Sequence, residues 1–478
     1  MQVKPTLTQH WTMTREQIGG ARVGDSREKW SGRVGFMLAT VGSAVGIGSI
    51  WKFPYEVGSN GGSAFVAFYL LGLALVVVPL MLAEFAIGHR GRGDPASSIA
   101  AVSRNAQTGR LWGLAGLGGI VTGFLILSFY AVIGGWTLAY AVQTAVEGLP
   151  PPRPAAVQAQ YDALLSAPLR MLAYHALFMA ATAGIVSRGV AGGIEAACKV
   201  LMPLLTVLML MLAAYAIIEG DVVAALHFLF DLDPRGISSQ VALEALGLGF
   251  FSIGVGLGLM ITYAAYSGAD VSLKQIAVVS VLADTAISLL AGLAVFPIVF
   301  AYGLDPASGA GLVFVTLPLA FAQMPLGTLA ACGFYVLLFV AALASAISML
   351  ELIVALLIRR FGMRRGVASA FAGGVCFLAG VPTVLSFNLW ANWHPLGSVA
   401  GLESSTVFDV LDYLTSNILL PVAGLAISLF AGWAIPDRML VEELDLSPAG
   451  GRILRIILRY IALAAIVAAT ISAMFSSR

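Results

Sequence analysis

Long apolar runs alternate with short polar connections along almost the whole chain. After a polar and basic opening stretch, 1–34, apolar runs stand at roughly 35–57, 63–88, 111–145, 169–187, 193–218, 240–266, 275–302, 328–358, 366–386, 407–435 and 452–475. About 20 apolar residues suffice for one bilayer crossing, so the pattern predicts eleven transmembrane helices. A further apolar stretch near 310–325 is short and holds Pro318 and Pro325. It reads as a re-entrant or extracellular helical loop.

Composition supports the pattern. The chain has 478 residues, 59% hydrophobic and 11% charged, and a mean hydropathy of +0.92. Soluble domains carry about a quarter charged residues, so this chain belongs in a bilayer. Its net charge of +1 gives no electrostatic case for nucleic acid. Cys198, Cys332 and Cys376 all lie in apolar runs without the paired spacing of a disulfide or metal framework. No cleavable leader is evident, because the opening residues lack an early apolar core. No large soluble segment interrupts the runs, so an enzymatic head group is not expected.

Lys and Arg fix the expected orientation. The opening arm and alternate loops hold Lys4, Arg15, Arg22, Arg27, Lys29 and Arg33, then Arg90, Arg92, Arg104, Arg110, Arg188, Lys274, Arg359, Arg360, Arg364, Arg365 and Arg438. The opposite loops hold Arg153, Arg170 and Arg235. The amino terminus is therefore expected in the cytoplasm and, with an odd number of crossings, the carboxy terminus outside. The expected setting is a bacterial inner membrane.

Two of the runs are poor membrane helices. Gly42 to Pro54 packs Gly42, Gly46 and Gly48 with Ser43, Ser49 and a Phe53-Pro54 step into the first run. Gly247 to Gly258 does the same in the sixth, around Phe250-Phe251-Ser252. Lipid offers no partners to freed backbone groups, so an interrupted helix belongs where it lines a polar cavity. Paired interruptions five crossings apart point to an inverted-repeat transporter with a site at mid-membrane. Close helix packing through small residues is the plainer reading of either cluster alone. A channel is disfavoured, because no repeated ring of filter residues is visible.

The motifs carry a resemblance. Ala44-Val45-Gly46-Ile47-Gly48, Trp51-Lys52-Phe53-Pro54-Tyr55, Asn60-Gly61-Gly62-Ser63-Ala64-Phe65, Phe250-Phe251-Ser252 and Ile261-Thr262-Tyr263-Ala264-Ala265-Tyr266 resemble the neurotransmitter:sodium symporter family. The likeness runs from about Arg27 to the end, and eleven crossings resemble a bacterial branch. It implies an all-α polytopic fold of five-plus-five inverted repeats with helices 1 and 6 broken. The expected divisions are a cytoplasmic arm 1–34, a first repeat 35–218, an extracellular loop 219–239, a second repeat 240–435, and a loop with a peripheral eleventh span 436–478.

The resemblance also implies roles. The substrate would lie against Ala44, Gly46, Gly48, Ile126, Tyr130, Phe251, Ser252, Gly254, Leu257, Ser345 and Met349. Tyr130 would donate to a substrate carboxylate at the positive end of a half-helix. Glycine at position 46, where monoamine carriers of the family have aspartate, leaves room for that carboxylate. The rest of the pocket is apolar and implies an apolar or aromatic side chain. A first sodium site would use Ala44, Ser49, Ser252 and Asp284, with Ser49 and Asp284 standing where asparagine is common. Asp284 is also an ionisable group inside a span, a functional candidate in its own right. A second would use Gly42, Val45, Ala341 and Ser345, and lacks a side-chain oxygen at Ala344. Chloride would meet Tyr69 and Ser288; with Asp284 beside them supplying a negative charge, chloride is not expected to be required. Glu84 is expected to cap free N–H groups of the broken helices. Lys52 and Asp412 would close the outer path. Arg27 and Trp30 would close the inner one, with Tyr266 or another acid replacing the usual partner, since Arg359 occupies its position.

The expected function is sodium-coupled import of a small apolar or aromatic L-amino acid by alternating access. The alternatives are a carrier of another small zwitterion (glycine, taurine, a betaine) and a non-transporting amino-acid sensor. The oligomeric state is not legible in the sequence.

Overall fold

The computed structural model describes residues 28–307, 311–399 and 402–476. Every regular element among them is helical. Nine helices among the described residues are long and apolar enough to cross a membrane: Ser63–Gly91, Gly113–Glu147, Pro168–Val186, Val190–Glu219, Leu273–Ala301, Gly327–Phe361, Arg365–Ser386, Val407–Ala434 and Pro448–Ser472. These are spans 2–5 and 7–11. Span 1 is the bent pair Arg33–Ala44 and Gly48–Ser59, whose axes differ by 48°. Span 6 is Ser239–Ile253 followed by Leu259–Ala265. Its halves are each too short to cross alone, which is the consequence of its break. The all-helical fold with helices 1 and 6 interrupted is the one the sequence predicts.

Local chemistry sets the ends. Ser238 accepts from the Val241 N–H at the start of span 6, Ser447 from the Gly450 N–H at the start of span 11, and Thr406 with Asp409 forms a reciprocal capping box at the start of span 10. The apolar stretch after residue 310 forms two short helices, Leu312–Thr316 and Leu317–Phe321. There Phe314 packs on Trp51, Trp136, Tyr140, Tyr161 and Tyr335.

Each half of the bundle packs on the other. The first half of span 1 lies on span 7, and both halves of span 6 lie on span 2. Span 3 packs on span 9, as span 8 packs on span 4. Spans 3 and 8 form the most extensive pair and run beside both breaks. The two interruptions are thereby held face to face in the middle of the bundle.

Candidate functional site

The break in span 1 begins where Val45 turns to an extended conformation (φ −79°, ψ 102°). In span 6 the chain leaves the helix at Gly254 (φ 70°) and passes Gly256 (φ 94°) and Gly258 (φ 82°). Three left-handed positions within five residues require glycine. The freed backbone is partly satisfied by Glu84 of span 2, fully buried, whose Oε1 accepts from the Gly256 N–H at 2.5 Å.

A cavity of about 40 Å³ lies between the breaks. Gly46, Gly48, Ile126, Tyr130, Phe251, Ser252, Gly254, Leu257, Ser345 and Met349 line it, together with Ser43, Ile47, Leu259 and Leu420. Ala44 is buried just behind this wall and does not line the cavity. The Ile47 N–H donates to the Tyr130 hydroxyl at 3.4 Å, and Ser345 Oγ and that hydroxyl both stand beside Gly46. A Cβ on Gly46 would collide with Ser345 Oγ, so only glycine admits this approach.

Beside the cavity sits a closed polar cluster. Asp284 of span 7 accepts from Ser49 Oγ at 2.5 Å, Ser252 Oγ at 3.0 Å and Tyr69 OH at 2.9 Å, and all four side chains are buried. The two serine hydroxyls lie 2.9 Å apart. The residues expected at the first sodium site and the tyrosine expected at a chloride site thus converge on one carboxylate. Ser288, one turn along span 7, is buried beside Tyr69 without a close hydrogen-bond partner. Oxygen donors around a buried anion suit a hard cation. The second expected sodium site is plainer. Gly42, Val45 and Ala341 are buried there, Ala344 adds no oxygen, and the one side-chain hydroxyl, Ser345, also stands beside Gly46 at the wall of the inner cavity.

The side facing the start of span 1 is closed by bonds. Trp30 donates from Nε1 to the Tyr263 carbonyl at 2.8 Å and from its N–H to the Tyr266 carbonyl at 3.2 Å. The Ser31 N–H and hydroxyl both donate to Glu195 of span 5, and Gly35 has no side chain where the Glu195 carboxyl passes. Arg365 at the start of span 9 binds Glu351 through two nitrogens at 2.7 and 2.8 Å, and also pairs with Glu28. The Tyr266 hydroxyl donates to Glu351 at 2.7 Å. The acid missing at Arg359 is therefore supplied by Glu351, about two turns earlier in span 8. Arg27 lies outside the described residues.

The opposite side departs from the expected pair. No ion pair joins Lys52 to Asp412; Asp412 accepts from Ser416 at 3.0 Å, and Lys52 Nζ stands 4.5 Å from the centre of the Phe251 ring. A lysine has no planar fork to hold a distant carboxylate, and the ring offers a nearer partner. Above Phe251 opens a second cavity of about 450 Å³, whose lining includes Lys52, Glu56, Glu244, Asn417 and Ser472. Phe251 lines both cavities and separates them.

Sequence reasoning missed Ser43, Ile47, Leu259 and Leu420 in the inner cavity, and Glu28, Glu195, Glu351 and Arg365 in the closure. Glu195 and Glu351 had a signal: each is an acid within an apolar run, where ionisable groups are costly and functional.

Comparison with known proteins places this geometry. The model of the sodium:neurotransmitter symporter family matches residues 27–155 and 169–390. The uncharacterized sodium-dependent transporter YhdH of Bacillus subtilis is 38% identical over 425 residues, 87% of this chain and 90% of that protein. A second uncharacterized sodium-dependent transporter, from Haemophilus influenzae, is 30% identical over 86% of this chain and 90% of its own length. A crystal structure of MhsT in complex with L-phenylalanine superimposes with a TM-score of 0.85 at 40% identity, covering 94% of this chain and 100% of that one. With two interrupted helices enclosing a small cavity and a buried oxygen cluster beside it, the chain is a sodium-dependent transporter and belongs to the sodium:neurotransmitter symporter family.

Proposed function

We propose that the protein is a symporter that uses the sodium gradient to import an apolar or aromatic L-amino acid by alternating access. The observation that carries this is the inner cavity. One end presents the Tyr130 hydroxyl and the span 1 break, without a side chain at Gly46; the other end is walled by Ile126, Leu257, Leu259, Met349 and Phe251. The first end suits a carboxylate and the second an apolar side chain. MhsT, similar over nearly the whole chain, is solved with L-phenylalanine. The cavity is small as it stands, so a substrate of that size enters by displacing Phe251 and the leucines around it.

Sodium would be held by Asp284, Ser49, Ser252 and the Ala44 carbonyl, with Gly42, Val45, Ala341 and Ser345 forming a weaker second site. Asp284 supplies the anion that chloride would otherwise provide, so replacing chloride by gluconate leaves uptake unchanged. The excess of Lys and Arg on the arm side supports a cytoplasmic setting for that side, in a bacterial inner membrane. Uptake of labelled L-phenylalanine into proteoliposomes, with and without an inward sodium gradient, tests the reading. Accumulation only with the gradient supports it; uptake that is equal without sodium, or binding with no uptake, overturns it. Competition by an amino-acid panel in the same assay identifies the substrate.

A further inference from the structure

We propose that the arm-side ends of spans 10 and 11 form a binding site for the phosphate headgroup of an anionic glycerophospholipid. The loop between the two spans turns at Ile435–Pro436–Asp437, and span 11 then opens with Arg452, Arg455 and Arg459. Positive side chains in the first turns of a helix oppose its macrodipole. Two of the three make structural bonds. Arg455 donates to the Ile435 carbonyl and pairs with Asp437; Arg459 Nε donates to the Gly432 carbonyl at 2.5 Å. Both carbonyls belong to the end of span 10, where a helix leaves acceptors unused. Gly432 permits this crossing, since a Cβ there would stand 3.1 Å from Arg459 Cγ.

The acids nearby are already committed. Asp437 pairs with Arg455, Glu442 with Arg438, Glu443 with His89 and Arg90, and Asp445 with Lys274. Arg452 and Arg459 have no acid within ion-pair distance among the described residues. They lie two turns apart along span 11, and the Arg459 guanidinium sits 5.7 Å from the centre of the Trp433 ring with its terminal N–H groups unused. Trp433 and Tyr460 touch at 6.1 Å and are 46% and 62% exposed. Tryptophan and tyrosine mark the headgroup level of a bilayer. Ile453, Ile456 and Ile461 are exposed on the same span. Two unneutralised guanidinium groups at headgroup level, bordered by an aromatic pair and an isoleucine-rich face, match a phosphate with acyl chains below it. A free phosphate has no use for that apolar border, and a zwitterionic headgroup does not offset the surplus charge.

The test uses the full-length protein, delipidated in detergent and offered equal amounts of phosphatidylglycerol and phosphatidylcholine, with bound lipid counted by native mass spectrometry. Phosphatidylglycerol is retained preferentially, and each arginine removed lowers that preference about fivefold, the effect of one basic residue at an anionic surface. Arg452→Gln, at an exposed side chain that bonds nothing in the fold, reads this without touching the span 10 contact. Arg452→Gln with Arg459→Lys, which keeps the second charge, loses one step only; Arg452→Gln with Arg459→Gln loses both. Millimolar inorganic phosphate leaves the bound lipid in place. Equal retention of the two lipids by the native chain, an Arg452→Gln preference equal to the native one, or displacement by inorganic phosphate each overturns the proposal.

Discussion

The two ends of the path through the bundle are closed by unlike means. On the arm side, Trp30, Ser31 and Glu28 are stitched to spans 5, 6 and 9 by directional bonds, and a buried Glu351–Arg365 pair lies beneath them. On the far side a cavity of about 450 Å³ descends to Phe251, where one ring and one lysine above it separate it from the inner cavity. The difference lies in the kind of contact. Hydrogen-bonded ion pairs in a buried setting are costly to break singly, whereas a ring turns about its χ angles with little loss. The far-side closure therefore rests on fewer directional bonds than the arm-side one, and each closure can be attacked separately.

The largest effect is expected at Glu351. Removing one partner of a buried ion pair costs up to about 3–5 kcal/mol; here Arg365 is left with Glu28 alone, which is one-third exposed, and Tyr266 loses its acceptor. Glu351→Ala should open the arm side, lower sodium-driven uptake by more than about tenfold, and speed alkylation of Cys198. That thiol is buried on span 5 directly behind Gly42. Glu351→Gln, which keeps a hydrogen-bonding oxygen, should fall between. Unchanged uptake and unchanged Cys198 labelling in Glu351→Ala would remove this pair from the closure.

Asp284 comes next, because it joins the closures at their midpoint. It accepts three hydroxyl bonds, and hydrogen bonds to a charged group are worth about 1.5–3 kcal/mol. Asp284→Asn has nearly the same shape and should fold. Its half-saturating sodium concentration should rise by about tenfold or more, and the pH dependence of uptake should flatten. A sodium titration repeated at several pH values reads both; identical curves would exclude this carboxylate from coupling.

What the sequence disclosed follows from how local each signal was. The glycines of spans 1 and 6 sit inside apolar runs, and lipid's inability to satisfy backbone makes the breaks legible. Asp284 and Glu84 stood out as acids in such runs. Glu351 obeyed the same rule but was hidden by a search for its partner at Arg359, a position fixed by likeness to relatives. Leu420 was beyond a periodicity argument. It follows a π-helical stretch, Leu414–Leu419, in which each wider turn shifts the register. Leu420 consequently faces the inner cavity while its neighbour Pro421 faces the outer one. Ser43 and Leu259 flank breaks, where no helical period applies.

The smallest effect sharpens the comparison at the far side. A cation over an aromatic face contributes about 0.5–2 kcal/mol, so Lys52→Met should raise the KM for substrate a few-fold and leave kcat nearly unchanged. Lys52 also shares its cavity with Glu56 and Glu244, and the change would leave both acids without their nearby cation. Lys52→Gln cannot separate these contributions, but a double-mutant cycle with Phe251→Leu can. A coupling close to the full effect of Lys52→Met assigns the closure to the ring contact; additive effects assign it to charge in the cavity. Lys52→Arg supplies a planar fork able to engage a carboxylate through two bonds. If it reaches Asp412, substrate release toward the far side slows and KM falls below the native value. If KM is unchanged in both Lys52→Met and Lys52→Arg, Phe251 alone closes this end, and the contrast with the bonded arm side is larger still.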